Sequence, residues 1–245
     1  ERAALALDFS PVNALRLHFG MAWAAGGGWA GQVLQNRDWH TAAWRDGQGR
    51  HFLPFGTLDD DAALERLTRW LRERPRWLRD QLAAVQLEPG TVVVCDCPLA
   101  PSALRDQVLA AADMLVLVCA PDSLSYASAT HMAGLAAEAR RRHAGSEHPG
   151  PAATIVLNGF DPSRRLDRDI ALLLRTQYKS VFSPVIVHRD ESLREALACK
   201  QTVFDFAPGS QAAYDYTALA TWTLARLGQT HDPAGRAGRG QGSPA

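Results

Sequence analysis

Thr91-Val92-Val93-Val94-Cys95-Asp96-Cys97-Pro98 is a short apolar run that ends in an acid and is stopped by a proline. Its β-branched residues favour a strand. An apolar run without alternation suits a strand buried on both faces, as in a parallel sheet. The acid then stands at the carboxyl end of the strand, where open α/β sheets bind their ligands. The spacing therefore predicts both a fold class and a place to look for chemistry.

The rest of the chain supports an α/β fold. Strands are expected over Ala3–Leu7, His51–Gly56, Thr91–Cys95, Met114–Ala120, Thr154–Leu157 and Pro184–Val187. Helices are expected over Trp29–Leu34, Trp39–Trp44, Asp61–Gln86, Ser102–Ala112, Ser125–His143, Leu166–Tyr178, Glu191–Cys199 and Ser210–Leu227, with Pro75 expected to kink or divide the third. Strands alternating with helices imply a mostly parallel sheet with helices on both faces. One ordered domain over residues 1–229 is expected, then a Gly/Pro/Arg-rich, disordered tail over 230–245. The chain enters a strand almost at Glu1, and we read it as a piece of a longer protein.

Composition narrows the function classes. The 245 residues carry 26 Lys+Arg and 26 Asp+Glu, so no net charge draws the protein to nucleic acid or anionic lipid. No apolar stretch reaches the ~20 residues of a membrane-spanning helix. No secretory leader is evident, so the cytoplasm is the expected compartment. Cys95, Cys97 and Cys119 lie in or beside apolar runs and read as small buried hydrophobes. Strand alternation turns Cys95 and Cys97 away from Asp96, and no further CxC or CxxC completes a metal set. Arg140-Arg141-Arg142 reads as a solvated helix end. Trp70, Leu71, Trp77 and Leu78 suit either a partner surface or a core.

Three expected strands end in a polar residue: Asp8, Asp96 and Asn158. In a parallel sheet those ends share one edge, so the side chains can converge on one ligand. In this order they resemble the deviant P-loop ATPases of the MinD/ParA type. The resemblance implies that Asp96 is the Walker-B acid, acting on Mg²⁺ through water. It implies that Asp8 serves catalysis on the γ-phosphate side and that Asn158 recognises adenine. Val185-Ile186-Val187-His188-Arg189-Asp190-Glu191-Ser192 is similar to a family segment, Val-Ile-Pro-Glu-Asp, that runs beside the base. Val187, His188, Arg189 and Asp190 are then cofactor contacts, with His188 close to the place of the family's proline.

The run from Asp8 to Phe19, Gly28-Trp29-Ala30, Asp38-Trp39, Leu53-Pro54-Phe55-Gly56 and His188-Arg189-Asp190-Glu191 narrow the resemblance to the BcsQ (YhjQ) group. These are MinD-like proteins of bacterial cellulose synthesis and secretion. The resemblance runs from Asp8 to about Leu227 and implies ATP and Mg²⁺ as cofactors. It further implies a homodimer that assembles or positions the cellulose synthase–secretion complex at the inner membrane. The tail has no apolar face, so the membrane would be reached through partner proteins and not by insertion. Two other readings stay open: a nucleotide-independent scaffold of the same complex, and a DNA-partitioning ATPase of the ParA type.

Two features depart from the family. No G-x-x-x-x-G-K-[ST] loop is present, and Gly26-Gly27-Gly28 is followed by Trp29 without a lysine, so it reads as a plain loop. The family places its phosphate loop ahead of the strand that ends at Asp8, within a unit of roughly 30 residues. The family's second acid, which orients the attacking water, is replaced by Ser10. A hydroxyl cannot act as a carboxylate base near neutral pH, so turnover in the intact protein is expected to be slow. Backbone N–H groups and a lysine supply most of the charge complement to phosphates. The 245-residue chain alone is therefore expected to bind ATP poorly or not at all. Calorimetric titration checks this, and micromolar binding would refute it.

Overall fold

The computed structural model describes residues 2–22, 24–142 and 150–231. In chain order the first elements are β1 (Ala4–Asp8), α1 (Trp29–Leu34), β2 (Trp44–Arg45), β3 (His51–Leu53), α2 (Asp61–Arg72), α3 (Trp77–Ala84), β4 (Val92–Asp96) and α4 (Ala103–Ala111). Then come β5 (Met114–Cys119), α5 (Ser123–Arg142), β6 (Ala152–Phe160), α6 (Arg165–Gln177), β7 (Val187–His188), α7 (Ser192–Ala198), α8 (Val203–Phe206) and α9 (Gln211–His231). Single 3-10 turns cover Leu15–Phe19 and Trp39–Ala42. Residues 230 and 231 of the expected tail over 230–245 end α9, and the rest of that tail lies outside the described residues.

The residues divide into two compact units, residues 1–111 with 194–206, and residues 112–193 with 207–245. The first unit holds a sheet of order β2-β3-β1-β4, parallel except for the β2–β3 pair. Leu5, Leu7, Val93 and Cys95 alternate onto one face and join Phe9, Leu53, Phe55, Leu67, Leu71 and Leu78 in the core. Pro75 does divide the helical stretch, giving α2 and α3. The backbone groups freed at that break are not wasted. Buried Gln107 on α4 donates to the carbonyls of Leu71 and Arg74 (3.0 and 2.6 Å) and accepts from Leu78 N–H at 3.0 Å. Leu71 and Leu78 are fully buried, and Trp70 and Trp77 pack against the same core, so these four residues are core and not a partner surface.

The second unit holds the parallel order β5-β6-β7. Its core combines Leu117 and Cys119, Ile155 and Leu157, and Ile170 and Leu174 with Met132 and Phe182. β4 was expected to be buried on both faces, but Val94 is 58% exposed; Val118 in β5 is likewise 67% exposed. In each strand one face packs on helices, and the other is left uncovered among the described residues.

The glycine cluster serves the first core. Trp29 N–H donates to the carbonyl of Pro54 at 3.0 Å, Ala30 N–H to that of Phe55 at 3.2 Å, and Thr57 N–H to that of Gly26 at 2.9 Å. The two backbones meet so closely that a Cβ on Gly28 would lie 2.2 Å from Gly56 N, and Gly56 itself holds φ +89°. Only glycine fits at either position. Gly28→Ala should therefore destabilise the protein by about 3 kcal/mol or more. Gly27→Ala, with nothing within 4 Å of its Cβ, should stay within about 1 kcal/mol. Thermal unfolding of the two variants checks the contrast.

Candidate functional site

β1 and β4 run parallel in register Ala4↔Val92 to Asp8↔Asp96, so the two acids are direct Cα partners. Register partners project to the same face, and neighbouring strands lie about 4.8 Å apart. The chain leaves β1 tied to β4, with Phe9 N–H donating to the carbonyl of Asp96 at 2.8 Å. The expected convergence of Asp8 and Asp96 at one strand edge is therefore present in the first unit.

Their environments differ. Asp96 is exposed, while Asp8 is fully buried. Asp8 Oδ1 accepts the N–H of Ser10 at 2.9 Å, and Oδ2 accepts that of Leu15 at 3.2 Å. Its backbone carbonyl accepts the indole N–H of Trp29 at 2.7 Å. Trp29 is locked in turn between Phe9, Phe55 and Trp77, at ring centroid distances of 4.5, 5.2 and 5.5 Å. Burial, with the nearby charge of Asp96, pushes the Asp8 carboxyl up to about 6, against the two N–H donors and Arg16, which lower it. Asp8 thus organises the 8–15 loop, and Asp96 is the acid presented outward. A solvent-facing carboxylate suits a hydrated Mg²⁺.

The loop that leaves Asp8 supplies groups to which the sequence reading gave no role. Ser10-Pro11-Val12-Asn13 closes as a turn, with Asn13 N–H on the carbonyl of Ser10 at 2.9 Å. Asn13 takes φ +53° and is 3% exposed. Buried Arg16 donates to the carbonyl of Ala25 at 2.9 Å. Burial lowers the pKa of His18, opposed by the charge of Asp96. Alternation of Leu15, Leu17 and Phe19 with Arg16 and His18 was the available signal, but it does not tell a polar residue facing solvent from one turned toward a site.

In the second unit, Asn158 pairs with Val187 near the end of β6, at an irregularity that Gly159 (φ +74°) accommodates. Asn158 Oδ1 is buried without a partner among the described residues. Val187 is 1% exposed and packs inward. His188 binds Asp215 on α9 twice, through its N–H at 2.8 Å and Nδ1 at 2.9 Å. Asp190 accepts the N–H of Ala212 and of Ser192, both at 2.9 Å, and these bonds hold its pKa down. The exposed Arg189 is held by its N–H on the carbonyl of Phe160 at 2.9 Å. The side chains of Val187, His188 and Asp190 thus fix this segment onto its own unit.

The cysteines lie as alternation predicts. Cys95 and Cys97 pack on the core, where burial pushes both thiols up to about 12. No metal-binding cluster of His, Cys, Asp and Glu occurs among the described residues. No described helix is long and apolar enough to cross a membrane.

Parallel strands flanked by helices, with acids at adjoining strand ends, define a P-loop ATPase fold of the MinD/ParA type. An ATP complex of Cyanothece McdA shares it at TM-score 0.68 and 12% identity, over 93% of this chain and 84% of that one. The septum site-determining protein MinD of Pyrococcus horikoshii, complexed with Mg-ADP, shares it at TM-score 0.67 and 16% identity, over 94% and 87%. The chain belongs to the cellulose biosynthesis protein BcsQ family, whose family model matches residues 1–224. It is 27% identical over 229 residues to the cellulose biosynthesis protein BcsQ of Salmonella typhimurium, covering 90% of this chain and 81% of that protein.

The raised Asp8 carboxyl has a pH signature. The unfolded chain ionises this group near pH 4, whereas the native chain holds the proton up to about 6. Its contribution is therefore fully present below about pH 4 and is lost as pH rises to about 6, by of order 3 kcal/mol. Asp8→Asn removes that ionisation. The stability of the variant relative to the parent should rise across this window, as read by denaturant unfolding at each pH. A difference independent of pH would contradict the assignment.

Proposed function

We propose that this protein is an ATP-dependent, dimerising regulator that assembles or positions a bacterial cellulose synthase–secretion complex. The observation that supports it most is the register pairing of Asp8 with Asp96. Membership of the BcsQ family supports the cellulose role. The ATP complex of McdA and the Mg-ADP complex of MinD support the choice of nucleotide and metal.

In this reading Asp96 holds Mg²⁺ through water, and the metal neutralises phosphate charge. Asp8 fixes the loop on the γ-phosphate side. Asn158, whose Oδ1 lacks a partner, accepts from the exocyclic amine of adenine. The segment Val187–Asp190 lines the base through its backbone and Arg189. Ser10, in place of a second acid, makes turnover slow, so nucleotide acts as a signal for dimerisation. The dimer works in the cytoplasm and meets the inner membrane through partner proteins. The balanced charge argues against DNA as a partner.

Light scattering coupled to gel filtration tests this on the full-length protein. Mg-ATP should double the mass, EDTA should reverse the change, and Asp96→Asn should remain monomeric with Mg-ATP. A mass indifferent to nucleotide would favour a nucleotide-independent scaffold.

A further inference from the structure

Asn13 stands out among the buried polar groups. It is 3% exposed, yet neither Oδ1 nor Nδ2 has a hydrogen-bond partner among the described residues. Burying an amide without partners is costly, and native structures fill such positions with protein, water or ligand. Its place in the chain narrows the choice. It lies on the loop that Asp8 clamps through Ser10 N–H and Leu15 N–H. Two residues of chain, at most about 7 Å, separate it from Leu15. The loop is fixed from outside as well, since Arg16 is bonded to the carbonyl of Ala25. Asn13 thus lies on the loop that Asp8 clamps, with a donor and an acceptor both unused among the described residues.

We propose that Asn13 is a binding residue for the terminal phosphoryl group of the Mg²⁺-bound nucleoside triphosphate. This rests on the functional reading above. Nδ2–H donates to an oxygen of that phosphoryl group, and Oδ1 accepts from a water on the metal. A neutral amide suits the place. The acid pair already supplies the negative charge that attracts the cation, and a further carboxylate would repel the phosphate. The amide meets one oxyanion and one metal-bound water without changing the charge.

Asn13 also tolerates the left-handed backbone at φ +53°, so its presence could be conformational alone. Asn13→Gly separates the two roles, because glycine keeps that backbone without strain and removes only the amide. Calorimetry on the full-length protein with Mg-ATP and with Mg-ADP reads the difference, and thermal unfolding without nucleotide reads stability. The expected result is at least tenfold weaker Mg-ATP binding, Mg-ADP binding within twofold of the parent, and an unchanged or higher unfolding temperature. Asn13→Asp should lose Mg-ATP affinity in the same selective way, and it decides the matter if the glycine variant does not fold. Unchanged Mg-ATP affinity would show that the amide only holds a water and would overturn the proposal. Equal loss of both nucleotides with a lowered unfolding temperature would also overturn it, by showing a structural role. A parent protein that binds neither nucleotide would overturn the functional reading and this proposal together.

Discussion

The hydrogen bond from the indole of Trp29 to the backbone carbonyl of Asp8, at 2.7 Å, fixes the end of β1. That carbonyl belongs to the residue where β1 stops, so its partner settles where the strand ends and which way the next loop leaves. The carboxylate of the same residue then gathers Ser10 and Leu15. One residue, held from the core side through its backbone, shapes the loop on its other side through its side chain. A buried carboxylate without this support would be a liability. Here two N–H donors meet it, which makes its burial tolerable and still leaves it harder to ionise than an ordinary acid.

The aromatic core carries this constraint into the rest of the unit. Trp29 can reach Asp8 only because α1 starts flush against the segment after β3, and the paired glycines Gly28 and Gly56 allow that approach. Phe9, Phe55 and Trp77 then hold the indole in place. Gly28-Trp29 and Pro54-Phe55-Gly56 are distant in sequence and form one joint in space. These residues act on the site through Asp8 and need not touch a ligand themselves.

Much of this was legible in the chain. The run into Asp96 announced its own strand, Pro75 announced the break between α2 and α3, and the alternation around Cys95 and Cys97 put both thiols on the core side. The partnership of Asp8 with Asp96 followed from two strands ending in acids. Other features depend on contacts that no local pattern encodes. Val94 read as buried because its run is apolar, yet which faces are covered depends on distant helices. Asn13 carried no signal of its own in the chain, and its burial shows only once the loop is gathered onto Asp8. His188 and Asp190 read as cofactor contacts, but Asp215 and the start of α9 occupy their side chains. Partners 27 and 22 residues further along leave no mark on the segment itself.

The account stands on one claim: the two paired acids serve a single metal–nucleotide ligand, with Asp96 facing the metal. A crystal structure of the full-length protein with Mn²⁺ and a non-hydrolysable ATP analogue tests it most directly, because the anomalous signal of manganese locates the cation without interpretation. The account predicts a peak about 4 to 5 Å from the Asp96 carboxylate with a water between them, on the side of the strands that carries Asp8. A manganese–nucleotide unit bound away from both acids would contradict it.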